Sequence, residues 1–126
     1  MRSEALYLKD MVEAADAVER FLTGVEETAF LGSEMLQSAV LLKLIIIGEA
    51  AAHLSKEFRQ RHADMEWSDI VAFRNLSVHA YFGVQWPIVW GTATEEVPEL
   101  RRIVGGILES DYPVPASQEG EEGAQA

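Results

Sequence analysis

The chain has 126 residues and no cysteine, which excludes a disulfide framework and any thiolate metal or catalytic site. Hydrophobic residues make up 48% of it, a proportion typical of a single globular domain. The formal net charge of −11 argues against a general nucleic-acid binder, which needs a basic face to neutralise phosphates. An acidic surface is better suited to a basic protein partner.

The start and end of the sequence carry no apolar targeting segment. The N-terminus is charged, and the longest apolar run, residues 39–47, is interrupted by Lys43 and shorter than the roughly 20 residues of a membrane span. We therefore expect a cytoplasmic protein without membrane association. Residues 111–126 are rich in Pro, Gly, Ser, Gln and Glu, and we expect a disordered acidic tail after a helical domain at residues 1–110.

Apolar residues at helical spacing predict a first helix over residues 3–22, ended by Gly24. Residues 26–31 allow one or two further turns, and Ser33 is a good N-cap for the second helix. The second helix is predicted to run from Glu34 to Arg61, a length of about 40 Å.

The second helix carries two apolar stripes. The first consists of Leu36, Val40, Ile47, Ala50, Leu54 and Phe58, and the second of Leu41, Leu42, Ile45 and Ala52. Two apolar faces on one helix indicate either that one face packs against a second chain or that the helix is central and buried on most sides. Both interpretations stay open from the sequence.

A third helix is predicted over residues 67–81, with Ser68 or Asp64 at its start. Trp86 and Pro87 open a fourth helical region, which Pro98 is expected to kink or restart. Its apolar face consists of Leu100, Ile103, Val104, Ile107 and Leu108. With no strand signal of any strength, the predicted fold is an all-α, four- to five-helix up-and-down bundle.

The residues that suggest chemistry lie near the end of the third helix: Arg74, Asn75, His79 and Tyr81. Arginine is a permanent cation whose planar donors suit phosphate, and histidine exchanges a proton near neutral pH. Metal-free cleavage of RNA needs these two groups, because the 2′-hydroxyl is a built-in nucleophile that has only to be deprotonated. On an ideal helix Asn75 and His79 lie one turn apart, and Tyr81 falls in a loosened last turn before Gly83.

Each of these residues also has a purely structural interpretation. Arg74 could pair with a carboxylate, His79 could be a hydrogen-bonded helix-end residue, Asn75 could cap backbone groups and Tyr81 could pack its ring. Glu49 on the second helix could hydrogen-bond into the site or form a salt bridge at the edge of the core. No His, Asp or Glu cluster has metal-ligand spacing, and no cofactor-binding motif is present.

The run Arg-Asn-x3-His-x-Tyr followed by Phe-Gly-Val resembles the Arg-x4-His-x-Tyr signature of HepT toxins in the HEPN superfamily. Segments 6–10, 46–51, 89–90 and 95–100 resemble the same family in the same order, so the likeness covers residues 1–110. It implies a homodimer in which two copies of the motif meet in a cleft.

The resemblance also implies a function. Members are metal-independent ribonuclease toxins of type VII toxin–antitoxin systems, paired with MntA-like nucleotidyltransferase antitoxins that transfer AMP to the motif tyrosine. Carried over, Arg74 holds the scissile phosphate, His79 is the base or acid, Asn75 supports them and Tyr81 is the AMPylation site. RNA, the antitoxin and a second copy are the implied partners, with neither DNA nor a cofactor.

A second hypothesis comes from the acidic surface and from Ala80, which stands where many members carry an acidic residue. It is a catalytically inactive HEPN module that serves as the binding subunit of a minimal nucleotidyltransferase. A third is a helical-bundle dimer without an active site.

Overall fold

The computed structural model describes residues 3–76 and 83–113, and these residues form helices and no strand. The all-α prediction is therefore confirmed. Seven α-helices are described: α1 Glu4–Leu22, α2 Glu27–Leu31, α3 Glu34–Ala52, α4 Lys56–Arg61, α5 Trp67–Val71, α6 Trp86–Gly91 and α7 Val97–Asp111.

Helix α1 forms as the sequence predicts. The hydroxyl of Ser3 accepts a hydrogen bond from the Leu6 N–H at 3.4 Å, which caps its first turn. Gly24 follows its end with a φ of +74°, a conformation that favours glycine. One face of α1 packs on α3 and another on α7, and the side chains of Leu8 and Met11 are completely buried between them.

The predicted long second helix is wrong beyond residue 52. Helix α3 ends at Ala52, and α4 begins only after Ser55, whose hydroxyl accepts from the Phe58 N–H at 3.0 Å. Glu4 also accepts a hydrogen bond from the Ser55 N–H at 2.7 Å, which ties the break to the start of α1. Serine competes well for such caps, so the chain turns here, and α3 is about 28 Å long rather than 40 Å.

The two stripes of α3 differ in burial. In the first, Val40 and Ile47 are fully buried, whereas in the second Leu42 remains 55% exposed. By length and composition α3 is also the one helix in the described ranges that could cross a membrane. A core helix of a bundle meets the same criterion, so this observation carries little weight.

The third helix is interrupted, contrary to the prediction. Helix α5 begins after Glu66 without a side-chain cap from Ser68 or Asp64, and it ends at Val71. Ala72–Asn75 then form a 3-10 turn, after which the Leu76 N–H donates to the Phe73 carbonyl three residues back. Residues 77–82, the rest of the predicted helix, lie outside the described residues.

The fourth helical region does not break before Pro98, because Gly91, Glu96 and Val97 all keep helical dihedral angles and only the hydrogen-bond pattern changes. Between α6 and α7, residues 92–96 form a π-helical turn in which the Val97 N–H donates to the Thr92 carbonyl, five residues back. Pro98 lies in the first turn of α7, where its missing N–H is tolerated. Leu100, Val104 and Ile107 of α7 are buried.

Among the described residues, one side of the bundle is less closely packed than the other. Helix α1 packs on both α3 and α7, and α3 packs on α5 and the 3-10 turn, but within the described ranges α5 and α7 make no extensive contact. Helix α7 ends at Asp111, whose Oδ2 lies 3.2 Å from His62 Nε2. The predicted disordered tail falls mostly on residues 114–126, outside those described.

Candidate active site

The backbone of the 3-10 turn lies directly against α3 at one point. A Cβ atom built on Gly48 would stand 2.5 Å from the Arg74 backbone nitrogen, 3.0 Å from the Phe73 Cβ and 3.1 Å from the Ile70 carbonyl oxygen. Side-chain carbons essentially never approach heavy atoms within 3.0 Å, so any larger residue would push the turn away. Gly48 therefore sets how closely the backbone of Arg74 approaches the bundle.

Arg74 has a closely packed backbone and an exposed side chain. Its residue is exposed, as is that of Asn75. The Arg74 guanidinium forms no hydrogen bond or salt bridge with any residue in the described part of the chain. No described carboxylate pairs with it, and its donors are available to an anionic ligand.

The predicted partners of Arg74 cannot be placed in the same way. His79 and Tyr81 belong to residues 77–82, which lie outside the described residues. The 3-10 turn does alter the expected register. It has 3.0 residues per turn, so the ideal α-helical spacing assumed from Arg74 onward does not hold through Asn75.

Glu49 follows Gly48 on α3 and forms no salt bridge with any of the described residues. Its side chain is exposed and lines a shallow depression beside Tyr7 and His53. The rings of Tyr7 and His53 stack there with centroids 4.9 Å apart and an angle of 7° between their planes. Nothing described links Glu49 to Arg74.

The sequence interpretation missed the contact at Gly48. A signal was available, because a glycine within an apolar helical run weakens the helix by about 1 kcal/mol and often marks a close approach. In the described ranges, no group of three or more His, Asp or Glu side chains is arranged to hold a metal ion.

Fold and site together define the class: an all-α bundle that presents an exposed arginine, without an ion-pair partner among the described residues, from a turn packed on α3. Residues 11–107 match the family described as "Ribonuclease HepT-like". Because that match covers more than half of the chain, the chain belongs to the HepT-like ribonuclease family, and the resemblance seen in the sequence is confirmed.

Individual relatives agree with this assignment. The chain is 33% identical over 111 residues to "Putative RNase TTE0752" of Caldanaerobacter subterraneus, covering 88% of this chain and 99% of the relative. It is 31% identical over 103 residues to "Putative RNase MJ1380" of Methanocaldococcus jannaschii, covering 82% and 94%. It is 35% identical over 100 residues to "Probable ribonuclease HepT" of Thermococcus cleftensis, covering 79% and 91%. No solved structure matches the chain.

Proposed function

We propose that this protein is a toxin ribonuclease that cleaves RNA without a metal ion, with Arg74 and His79 as its catalytic residues. The observation that supports this most directly is the exposed Arg74, which pairs with no carboxylate among residues 3–76 and 83–113 and whose backbone lies against Gly48. Family membership and the names of the relatives support the substrate class.

The proposed chemistry uses the RNA's own nucleophile. His79 accepts the proton of the 2′-hydroxyl, the 2′-oxygen bonds to the adjacent phosphorus, and the bond from phosphorus to the 5′-oxygen breaks. The products are a 2′,3′-cyclic phosphate and a 5′-hydroxyl, which takes up a proton as it leaves. Arg74 binds the phosphate oxygens, whose negative charge grows in the transition state, and Asn75 supports the arrangement.

A homodimer would provide both proton-transfer groups in one cleft, with one His79 as base and the other as acid. The exposed side chain of Leu42 on α3 supports a second copy of the chain as a neighbour, although Leu41 of the same stripe is buried. In this proposal a nucleotidyltransferase antitoxin attaches AMP to Tyr81. The added phosphate would compete with RNA for Arg74, because both are anions.

The decisive experiment replaces the proposed base. We expect His79→Ala to lower the rate of RNA cleavage by about 10² to 10⁴ while circular dichroism shows an unchanged helical fold. His53→Ala is the matched control, since His53 is exposed at the C-terminal end of α3 and does not belong to the proposed motif. Unchanged cleavage by folded His79→Ala would reject the proposal.

Arg74→Ala tests the phosphate contact. Because a charged donor is lost, binding of an RNA with a 2′-deoxy cleavage site should weaken, and Arg102→Ala is the control with an equal change of charge. Arg102 is exposed on α7 and paired with Glu99. Cleavage that disappears in EDTA would contradict the metal-free mechanism.

One observation favours a second function. The net charge of −11 opposes binding of a polyanion, which suits an inactive module that binds a minimal nucleotidyltransferase. This alternative predicts a stable complex with such an enzyme and no RNA turnover. Toxicity on expression that the partner relieves would favour the ribonuclease instead.

A further inference from the structure

The less closely packed side of the bundle contains a groove of about 400 Å³ between α5 with its 3-10 turn and α7. Apolar side chains form its floor, among them the buried Ile70 and Leu100 and the half-buried Phe73 and Ile103. Six exposed carboxylates form its rim: Asp64, Glu66, Asp69, Glu95, Glu96 and Glu99. We call this feature the acid-rimmed groove.

The negative charge of the rim is mostly uncompensated. Glu99 is bonded to Arg102, with Nη2 2.5 Å from Oε1 and Nε 3.1 Å from Oε2. The other five carboxylates pair with no cation in the ranges 3–76 and 83–113, and neither Lys nor Arg lines the groove there. The like charges of the rim repel one another, and a basic ligand would relieve this repulsion. If the ligand also has an apolar face, contact with the floor adds to its binding free energy.

Charge also limits what can occupy the groove. RNA is a polyanion and would be repelled by the rim. Residues 114–126 contain three glutamates and no Lys or Arg, so the chain's own C-terminal segment has the wrong sign. A second copy of the chain, at −11, is also acidic. The complementary occupant is a basic segment with an apolar face.

We propose that the acid-rimmed groove binds an amphipathic helix of a partner protein, with Leu- or Ile-type residues on the floor and Lys or Arg against the rim. An apolar helix face in a groove is a common mode of protein recognition, and the surrounding charges set the partner and its orientation. Arg74 is not among the residues that line this groove, and the proposal does not depend on ribonuclease activity.

The test uses the full chain and a fluorescein-labelled peptide of about 14 residues, in which leucines repeat at helical spacing and lysines fill the other positions. A peptide with glutamate in place of lysine is the ligand control. Binding is followed by fluorescence anisotropy at low and high salt. The groove variant combines Asp64→Lys with Glu95→Lys, and a matched variant combines Glu27→Lys with Glu57→Lys, which line no described part of the groove.

We expect the lysine peptide to bind, to bind less at high salt and to lose roughly tenfold or more in affinity to the groove variant, with a change below about twofold in the matched variant. Equal losses in both variants would mean non-specific attraction to an acidic protein and would overturn the proposal. The single variant Glu96→Lys provides the same comparison if the double variant does not fold.

Two further measurements test whether the peptide binds elsewhere and whether the groove is instead an interface between two copies of the chain. NMR shifts on adding the lysine peptide should concentrate at Ile70, Phe73 and Ile103, and shifts confined to α1 and α3 would place binding elsewhere and reject the groove. Light scattering gives the mass of each variant. If the groove variant changes the oligomeric state and the matched variant does not, the groove is an interface between copies of this chain and the proposal is wrong.

Discussion

Apolar side chains lie on both sides of this bundle, but they are more completely buried between α1 and α3 than between α5 and α7. Where α1 meets α3, the side chains of Met11, Leu44 and Ile47 have no exposed surface. Where α5 faces α7, Phe73 and Ile103 stay half-exposed beneath a rim of carboxylates. An apolar stripe becomes core only if another helix comes within packing distance, and otherwise it becomes the floor of a surface groove.

The largest effect is expected when one apolar side chain is truncated in the closed interface and one in the acid-rimmed groove. Leu44→Ala should lower the free energy of unfolding by about 2–5 kcal/mol, because it leaves a cavity in a closed interface. Ile103→Ala should lower it by about 1 kcal/mol or less, since water already reaches that side chain. Urea denaturation of both variants measures the two free energies of unfolding. Equal decreases would show that the floor of the acid-rimmed groove is as tightly packed as the core.

Gly48 lies where α3 meets the 3-10 turn at the edge of the less closely packed side. Gly48→Ala gains about 1 kcal/mol of helix propensity but forces the Arg74 backbone to shift, and we expect a net loss of roughly 1–2 kcal/mol in the free energy of unfolding. Gly106→Ala in α7 is the control, because a Cβ there meets nothing within 4 Å. It should stabilise the protein by about 0.5–1 kcal/mol, and a gain in both variants would contradict the close contact.

The same variant tests whether Gly48 acts through Arg74. If it does, Gly48→Ala should weaken RNA cleavage in the native background and have little further effect in Arg74→Ala, because the two changes remove one interaction. Additive losses would indicate general destabilisation. No effect of Arg74→Ala by itself would instead count against the proposed function.

The smallest expected effect concerns the rim. Hydrogen bonds from Arg102 hold the pKa of the Glu99 carboxyl below its ordinary value of 4.5. A lowered pKa in the folded state favours folding above the unfolded-state pKa, and this contribution disappears as the pH falls through the folded-state pKa. Arg102→Gln should therefore return the pKa of Glu99, measured by carboxyl NMR, towards 4.5 with little change in stability near pH 7, because the pair is exposed. An unchanged titration would show that the pair is absent in solution.

The sequence predicted those features that depend on neighbouring residues. Ser33 caps a helix as expected, because its hydroxyl reaches a backbone N–H group only three residues ahead. Pro98 was expected to disturb the fourth helical region because it lacks an N–H, and a π-helical turn lies just before it. The break at Ser55 was missed, since helical periodicity continues through it and the bond from Glu4 comes from 51 residues away.

For the candidate site, too, some features were predicted from the sequence and others came only from the structure. The sequence identified Arg74, Asn75, His79 and Tyr81 as the chemical groups, and the match over residues 11–107 supports the family to which they were assigned. The structure adds the contact between Gly48 and Arg74 and the shift from α-helix to 3-10 turn. Neither follows from residue spacing, because both arise from the fit between two segments far apart in the chain.

By itself the sequence determined an all-α protein with some identifiable helix caps and a short motif suited to phosphate chemistry, because propensity, capping and residue chemistry act over a few positions. Only the tertiary structure decided where α3 ends, how close Arg74 comes to α3 and that the described residues leave a groove between α5 and α7. Those features depend on distances between helices, and such distances are set by the packing of whole surfaces against one another.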